Sequence, residues 1–171
     1  MSYRMFIHGL ESSSRGTKAV FFREKYPGMI TPDFTGPLDD RMDKLRGILC
    51  DQEDIILVGS SFGGLMASMF ALEGEERLKR MILLAPAINL TAFTSYREKR
   101  TAMPVWIYHG RQDDVIDIRE VKKAAAEVFL NLRFFEIEDD HYLHRTFETI
   151  PWEELLSEEP CRGSSDLGQI R

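Results

Sequence analysis

The 171 residues fit one domain, and a compact fold of this length buries about 70% of its unfolded surface, enough for a core without staples. With 22 basic and 28 acidic residues, the formal charge of −6 argues against a nucleic-acid-binding or anionic-membrane surface. A composition 43% apolar and 29% charged excludes global disorder. Two cysteines, Cys50 and Cys161, cannot build a disulfide framework or a cysteine-only zinc site. The longest strongly apolar runs, 55–58 and 81–88, fall far short of the roughly 18 residues that span a bilayer. Arg4 and His8 bracket only three apolar residues, so no signal peptide is read at the start. The expectation is a reduced, cytoplasmic protein with no nucleic-acid or membrane partner, its oligomeric state left open.

In chain order, residues 5–7 read as a first strand. Residues 17–26 follow as a helix carrying Ala19, Phe22 and Tyr26 on one side. A weaker extended segment at 29–32 is a candidate sixth strand. Met42, Leu45 and Leu49 then fall at helical spacing, before a strand at 55–58. Phe62, Leu65 and Met69 mark a further helix, and strands follow at 81–84 and 105–108. Val121, Ala124, Ala125 and Val128 form a full i, i+3, i+4, i+7 stripe, ahead of a last strand at 132–137. Pro151 suits the first turn of a short helix that buries Trp152, Leu155 and Leu156.

The middle three strands are continuous apolar runs, as expected of parallel strands covered on both faces. Strands alternating with helices predict an α/β fold: a three-layer α/β/α sandwich on a mostly parallel sheet of about six strands. Residues 1–159 are read as its single domain, and 160–171 as a mobile tail. In such sheets ligands bind beyond the carboxyl ends of the strands, so chemical residues should follow strands directly.

Gly59-Ser60-Ser61-Phe62-Gly63 lies between a buried strand and a helix, the context of a nucleophile elbow. The turn is sharp, and a side chain at either flanking position would collide with neighbouring backbone. Only Ser61 has glycines two residues to either side. A serine hydroxyl needs a base, and the base an orienting acid. Of the four histidines, His141 follows the last strand in a loop able to reach across the strand ends, and is the best base. His8 and His109 each end a strand before a glycine and are expected to shape turns or bond to backbone; His144 reads as surface. Asp113 and Asp114 compete for the acid, with Asp113 preferred, and the order Ser61, Asp113, His141 suits the elbow. Oxyanion donors are expected from the N–H of Phe62 and, after the first strand, from Leu10, with Glu11 as fallback.

These motifs make the chain resemble the α/β-hydrolases, in particular the small bacterial esterases of the YqiA/YcfP-like group. The shared features are the strand running into His8-Gly9 and Ser12-Ser13, the elbow at Ser61, the turn from His109-Gly110 to Asp113, and the pair Asp140-His141. The family turn sets its acid four residues after the histidine, which supports Asp113. The resemblance covers about residues 4–156. It implies a minimal α/β-hydrolase fold without a lid domain, because only residues 89–103 separate the strands where lids are commonly inserted. Larger relatives also carry two strands ahead of the one that opens here.

The expectation is a serine hydrolase of small carboxylic esters or thioesters, needing neither cofactor nor metal. Leu65 and Tyr142 are the proposed substrate contacts; Met66, Phe93 and Tyr96 could join them or be core. Arg97, Lys99 and Arg100 read as a solvated basic face. The alternative is a catalytically silent hydrolase fold serving as a binding module. A weaker alternative is metal-assisted hydrolysis at Asp139, Asp140, His141 and His144, whose His-x-x-His spacing no cysteine or further histidine joins.

Overall fold

The computed structural model describes residues 1–74 and 76–159. The expected C-terminal tail, Cys161 included, lies outside the described residues. The elements are β1 (Tyr3–Ile7), α1 (Thr17–Lys25), α2 (Leu38–Leu49), β2 (Ile55–Ser60), α3 (Phe62–Leu72), β3 (Leu78–Leu84), β4 (Thr101–Gly110), α4 (Ile118–Val128), β5 (Phe129–Ile137) and α5 (Trp152–Leu155). Two 3₁₀ turns, Thr91–Tyr96 and Phe147–Thr149, complete them. The five strands form one parallel sheet in the order β1-β2-β3-β4-β5.

The period-2 alternation of the strands sorts the core into two layers. Met5, Ile7, Leu57, Met81, Leu83, Val105 and Ile107 face α2, α3 and α4. Their chain neighbours Phe6, Ile56, Val58, Ile82, Leu84 and Trp106 face α1 and α5. Two helices present the predicted stripe: Met42, Leu45 and Leu49 on α2, and Val121, Ala124, Ala125 and Val128 on α4, are all buried, whereas Tyr26, just past α1, and Phe62 are half-buried. On the second face the Phe22 ring is fully buried, its centroid 4.9 Å from that of Trp152 and 5.1 Å from that of Phe6. Burying one such side chain stabilises the fold by about 1.5–3 kcal/mol.

The sixth strand shrinks to a single parallel bridge, Met5 to Ile30. Ile30 donates to the Arg4 carbonyl and accepts from the Phe6 N–H, both at 2.9 Å. Gly28 in the left-handed region before it and Pro32 after it leave no room for a longer ladder. The bridge still matters for placement. From β1 the chain steps out to one side at Ile30 and then returns to the other side as β2. This reversal is a topological switch point, and it opens a crevice at the carboxyl ends of β1 and β2. Between β3 and β4 only the turn Thr91–Tyr96 intervenes. None of the described helices is long and apolar enough to cross a membrane.

Candidate active site

Ser61 sits between β2 and α3 with φ 53° and ψ −114°, in the left-handed region that non-glycine residues avoid. The surroundings hold it there. Its N–H donates to the Leu84 carbonyl at 2.9 Å, and its own carbonyl accepts from Gly64, Leu65 and Ala87. The flanking glycines are sterically required. A Cβ on Gly63 would lie 2.0 Å from the Ile7 carbonyl oxygen, and one on Gly59 would lie 2.5 Å from that of Gly63.

The turn lifts the Ser61 hydroxyl toward the last loop, where Oγ is 3.1 Å from His141 Nε2. His141 Nδ1 is 2.8 Å from Asp113 Oδ2. A carboxylate only accepts, so Nδ1 carries the proton and Nε2 is free to accept from the serine. Asp114 is exposed and takes no part, whereas the Asp113 side chain is 1% exposed. Burial by itself would raise the Asp113 pKa. Donors from His109, His141, Ile116 and Val115 outweigh that burial and hold the carboxyl well below the usual aspartate range. The two backbone donors reach Oδ1 at 2.8 and 2.9 Å.

The loops after β4 and β5 fit together tightly. Arg111 N–H donates to the Ile137 carbonyl at 2.8 Å and Gln112 N–H to that of Asp139 at 3.0 Å. A Cβ on Gly110 would lie 2.3 Å from the Asp139 carbonyl oxygen, so only glycine permits this approach of the two loops that carry Asp113 and His141.

The loop after β1 runs beside the elbow: a Cβ on Gly9 would stand 3.6 Å from Ser61 Cβ. No backbone carbonyl takes the Leu10 N–H among the described residues. Phe62 is the first residue of α3, so its N–H has no intrahelical acceptor. His8, buried behind the loop, donates from Nδ1 to the Gly9 carbonyl at 2.7 Å and accepts the Phe34 N–H at Nε2 at 2.9 Å. It acts on backbone, as read from the sequence.

Of the expected substrate contacts, Tyr142 is 56% exposed and its ring stands edge-on to His141, centroids 5.2 Å apart. Leu65 is fully buried in the core with Met66 and Phe93, out of reach of solvent. Of the basic segment, Lys99 and Arg100 are exposed as expected, whereas Arg97 is anchored to Glu127 on α4 through two hydrogen bonds of 2.5 and 2.7 Å.

Two residues with roles here were missed in the sequence. His109 is fully buried and bonds to backbone as expected, with Nε2 3.1 Å from the Ile116 carbonyl, but the same atom also reaches Asp113 Oδ2 at 3.1 Å. Its position four residues before the acid, at a strand end, was the available signal. Asp139 is buried and shapes the loop that carries His141. Burial would raise its pKa, but Thr146 Oγ1 and the N–H groups of Asp140, Thr146 and Arg145 hold it low. Asp140 caps the same loop, accepting from the Tyr142 N–H at 3.0 Å and from the exposed His144 ring at 2.6 Å. Among the described residues no three histidine, cysteine or acidic side chains cluster as metal ligands would.

Comparison with known proteins agrees with this architecture. Residues 29–149 match the sequence profile of the phospholipase/carboxylesterase family. A Mycoplasma pneumoniae protein named as an esterase/lipase is 26% identical over an alignment of 142 positions that covers 74% of this chain and 53% of the relative. The chain therefore spans about half the length of that relative. A hydrolase of the alpha/beta superfamily from Xanthomonas campestris superposes with a TM-score of 0.73 at 23% identity, covering 87% of this chain and 93% of the other. Est1E from Butyrivibrio proteoclasticus gives 0.70 at 18% identity, covering 85% and 82%. At these identities the structural likeness is one of fold.

Proposed function

The chain belongs to the phospholipase/carboxylesterase family of α/β hydrolases, and from this premise we propose that it is a serine hydrolase of small carboxylic esters or thioesters. The observation that carries the reading is the continuous relay from Ser61 Oγ through His141 to Asp113, at 3.1 and 2.8 Å, on a serine held at positive φ.

In the proposed reaction Ser61 Oγ attacks the substrate carbonyl while His141 Nε2 takes its proton. Asp113 keeps the imidazole in the Nδ1–H tautomer and stabilises the imidazolium that forms. The carbonyl oxygen becomes an oxyanion, which accepts from the N–H groups of Phe62 and Leu10. Collapse expels the alcohol or thiol, which receives the proton from His141 Nε2, and leaves an acyl group on Ser61. Water, deprotonated by the same histidine, attacks the acyl carbonyl, and a second collapse frees the acid and restores Ser61. No step calls for a cofactor or metal. Tyr142, exposed beside His141, is the substrate contact in this reading, while Leu65 is buried in the core and meets the site only through its N–H on the Ser61 carbonyl. With only a short turn between β3 and β4, the mouth is open and selects weakly for acyl length.

The test is intact mass after exposure to a fluorophosphonate, with peptide mapping. One adduct on Ser61, lost in His141→Ala, is expected and leads to a panel of esters and thioesters. Folded protein that takes no adduct would refute the reading.

A further inference from the structure

Arg41 lies in the first turn of α2 and is only 5% exposed. Its Nε donates to the Gly36 carbonyl at 2.8 Å, and its Nη2 reaches the Leu10 carbonyl at 3.5 Å. The guanidinium carbon stands 5.5 Å from the centre of the Phe62 ring. Nη1 is buried and has no hydrogen-bond partner among the described residues. Burial pulls the guanidinium pKa down, and no acidic neighbour among the described residues acts in the other direction. The group nevertheless stays charged, as arginine does in proteins.

This placement is unfavourable on three counts. A buried cation loses hydration, an unpaired one gains no Coulombic return, and one in a helix's first turn opposes the helix dipole. Packing alone would be served as well by a methionine. The contacts suggest what the charge is for. Leu10 lies in the loop after β1 and Phe62 opens α3, and the guanidinium reaches both.

Resting on the esterase reading above, we propose that Arg41 is a positioning residue for the oxyanion hole, tying the Leu10 backbone to the Phe62 end of α3 and leaving an unneutralised positive charge behind the two donors. In the ground state that charge has no partner. When the tetrahedral intermediate forms, negative charge develops in front of it at the oxyanion. An interaction that grows in this way raises kcat and leaves substrate binding nearly untouched.

The test compares wild type with R41M, R41Q and R41K on p-nitrophenyl butyrate, with folding checked by near-UV circular dichroism and thermal melting. R41M and R41Q should lose roughly tenfold or more in kcat while KM stays within about twofold, a smaller loss than deleting a donor outright. R41K keeps the charge without the planar fork and should recover part of the loss. The inhibition constant of a trifluoromethyl ketone, whose hemiketal oxyanion occupies the hole, should rise by the factor lost in kcat/KM. Unchanged kcat in whichever of R41M and R41Q folds overturns the proposal. An effect on KM alone, or one confined to esters carrying a carboxylate, also overturns it, because Arg41 would then be a ground-state anion site. Wild-type protein that neither hydrolyses esters nor takes the fluorophosphonate label overturns the esterase reading itself, and this inference with it.

Discussion

His109 Nε2 lies 3.1 Å from Asp113 Oδ2, the same oxygen that accepts from His141 Nδ1 at 2.8 Å. Two imidazoles thus share one buried carboxylate oxygen, but only one of them faces the serine. The other nitrogen of the His109 ring is buried without a partner among the described residues, so this ring reaches Asp113 through Nε2 alone. It stacks near Phe134, centroids 6.4 Å apart.

Replacing His109 by phenylalanine keeps the ring packing and removes one donor to Asp113. It also removes the unsatisfied nitrogen, so the melting temperature should change by only a few degrees. Turnover should fall about 5- to 20-fold, since one charge-assisted hydrogen bond is worth roughly 1.5–3 kcal/mol and part of it serves to orient the acid. H109Q, which can still donate, should restore part of the rate. Full activity in H109F would show that the contact plays no part in catalysis.

Asp113 also makes stability depend on pH. Its folded-state pKa is depressed below the ordinary aspartate value of 3.8, so the folded state binds fewer protons in acid than the unfolded one. The stabilisation it supplies is complete above that ordinary value and is lost as pH falls through the lower folded-state value. D113N should therefore be less stable than wild type by about 2–3 kcal/mol at pH 7. That gap should narrow steadily below about pH 4. Urea denaturation at pH 6.5, 4 and 3 measures it; a gap independent of pH would rule the linkage out.

Ser61 carries strain that glycine would not. In the inactive pair S61A and S61G, alanine inherits the positive φ, whereas glycine adopts it freely. S61G should be the more stable of the two by about 1 kcal/mol, the low end of what such backbone strain costs. Chemical denaturation of both variants decides this. Equal stability would mean the elbow is unstrained in solution.

Asp139 holds the His141 loop from inside through four donors: Thr146 Oγ1 and the N–H groups of Asp140, Arg145 and Thr146. D139A leaves those groups unsatisfied and should cost about 2–4 kcal/mol, with turnover lost in parallel as His141 is displaced. H144A removes only an exposed partner of Asp140 and should stay within about twofold of wild-type turnover. A larger loss in H144A than in D139A would reverse the roles assigned here.

The strands, the elbow and the order Ser61, Asp113, His141 were legible in the chain because each is a local signal. Apolar runs mark strands buried on both faces, and the steric demand of the turn is written in the glycines two residues from Ser61. The placement of His141 at the sheet's carboxyl edge was also legible, since the loop after a parallel strand opens there. The second donor to Asp113, the anchoring of the base's loop by Asp139, the burial of Leu65 and the reduction of residues 29–32 to one bridge were not. Each depends on which backbone the packed helices and strand register bring within 3 Å, and spacing along the chain carries no such distance. Arg41 is the clearest case: it stands four residues before Leu45, at the edge of the apolar stripe of α2, and spacing along the chain does not say what its charge meets. Only the packing of α2 beneath the β1 loop and the first turn of α3 places its charge beside Leu10 and Phe62.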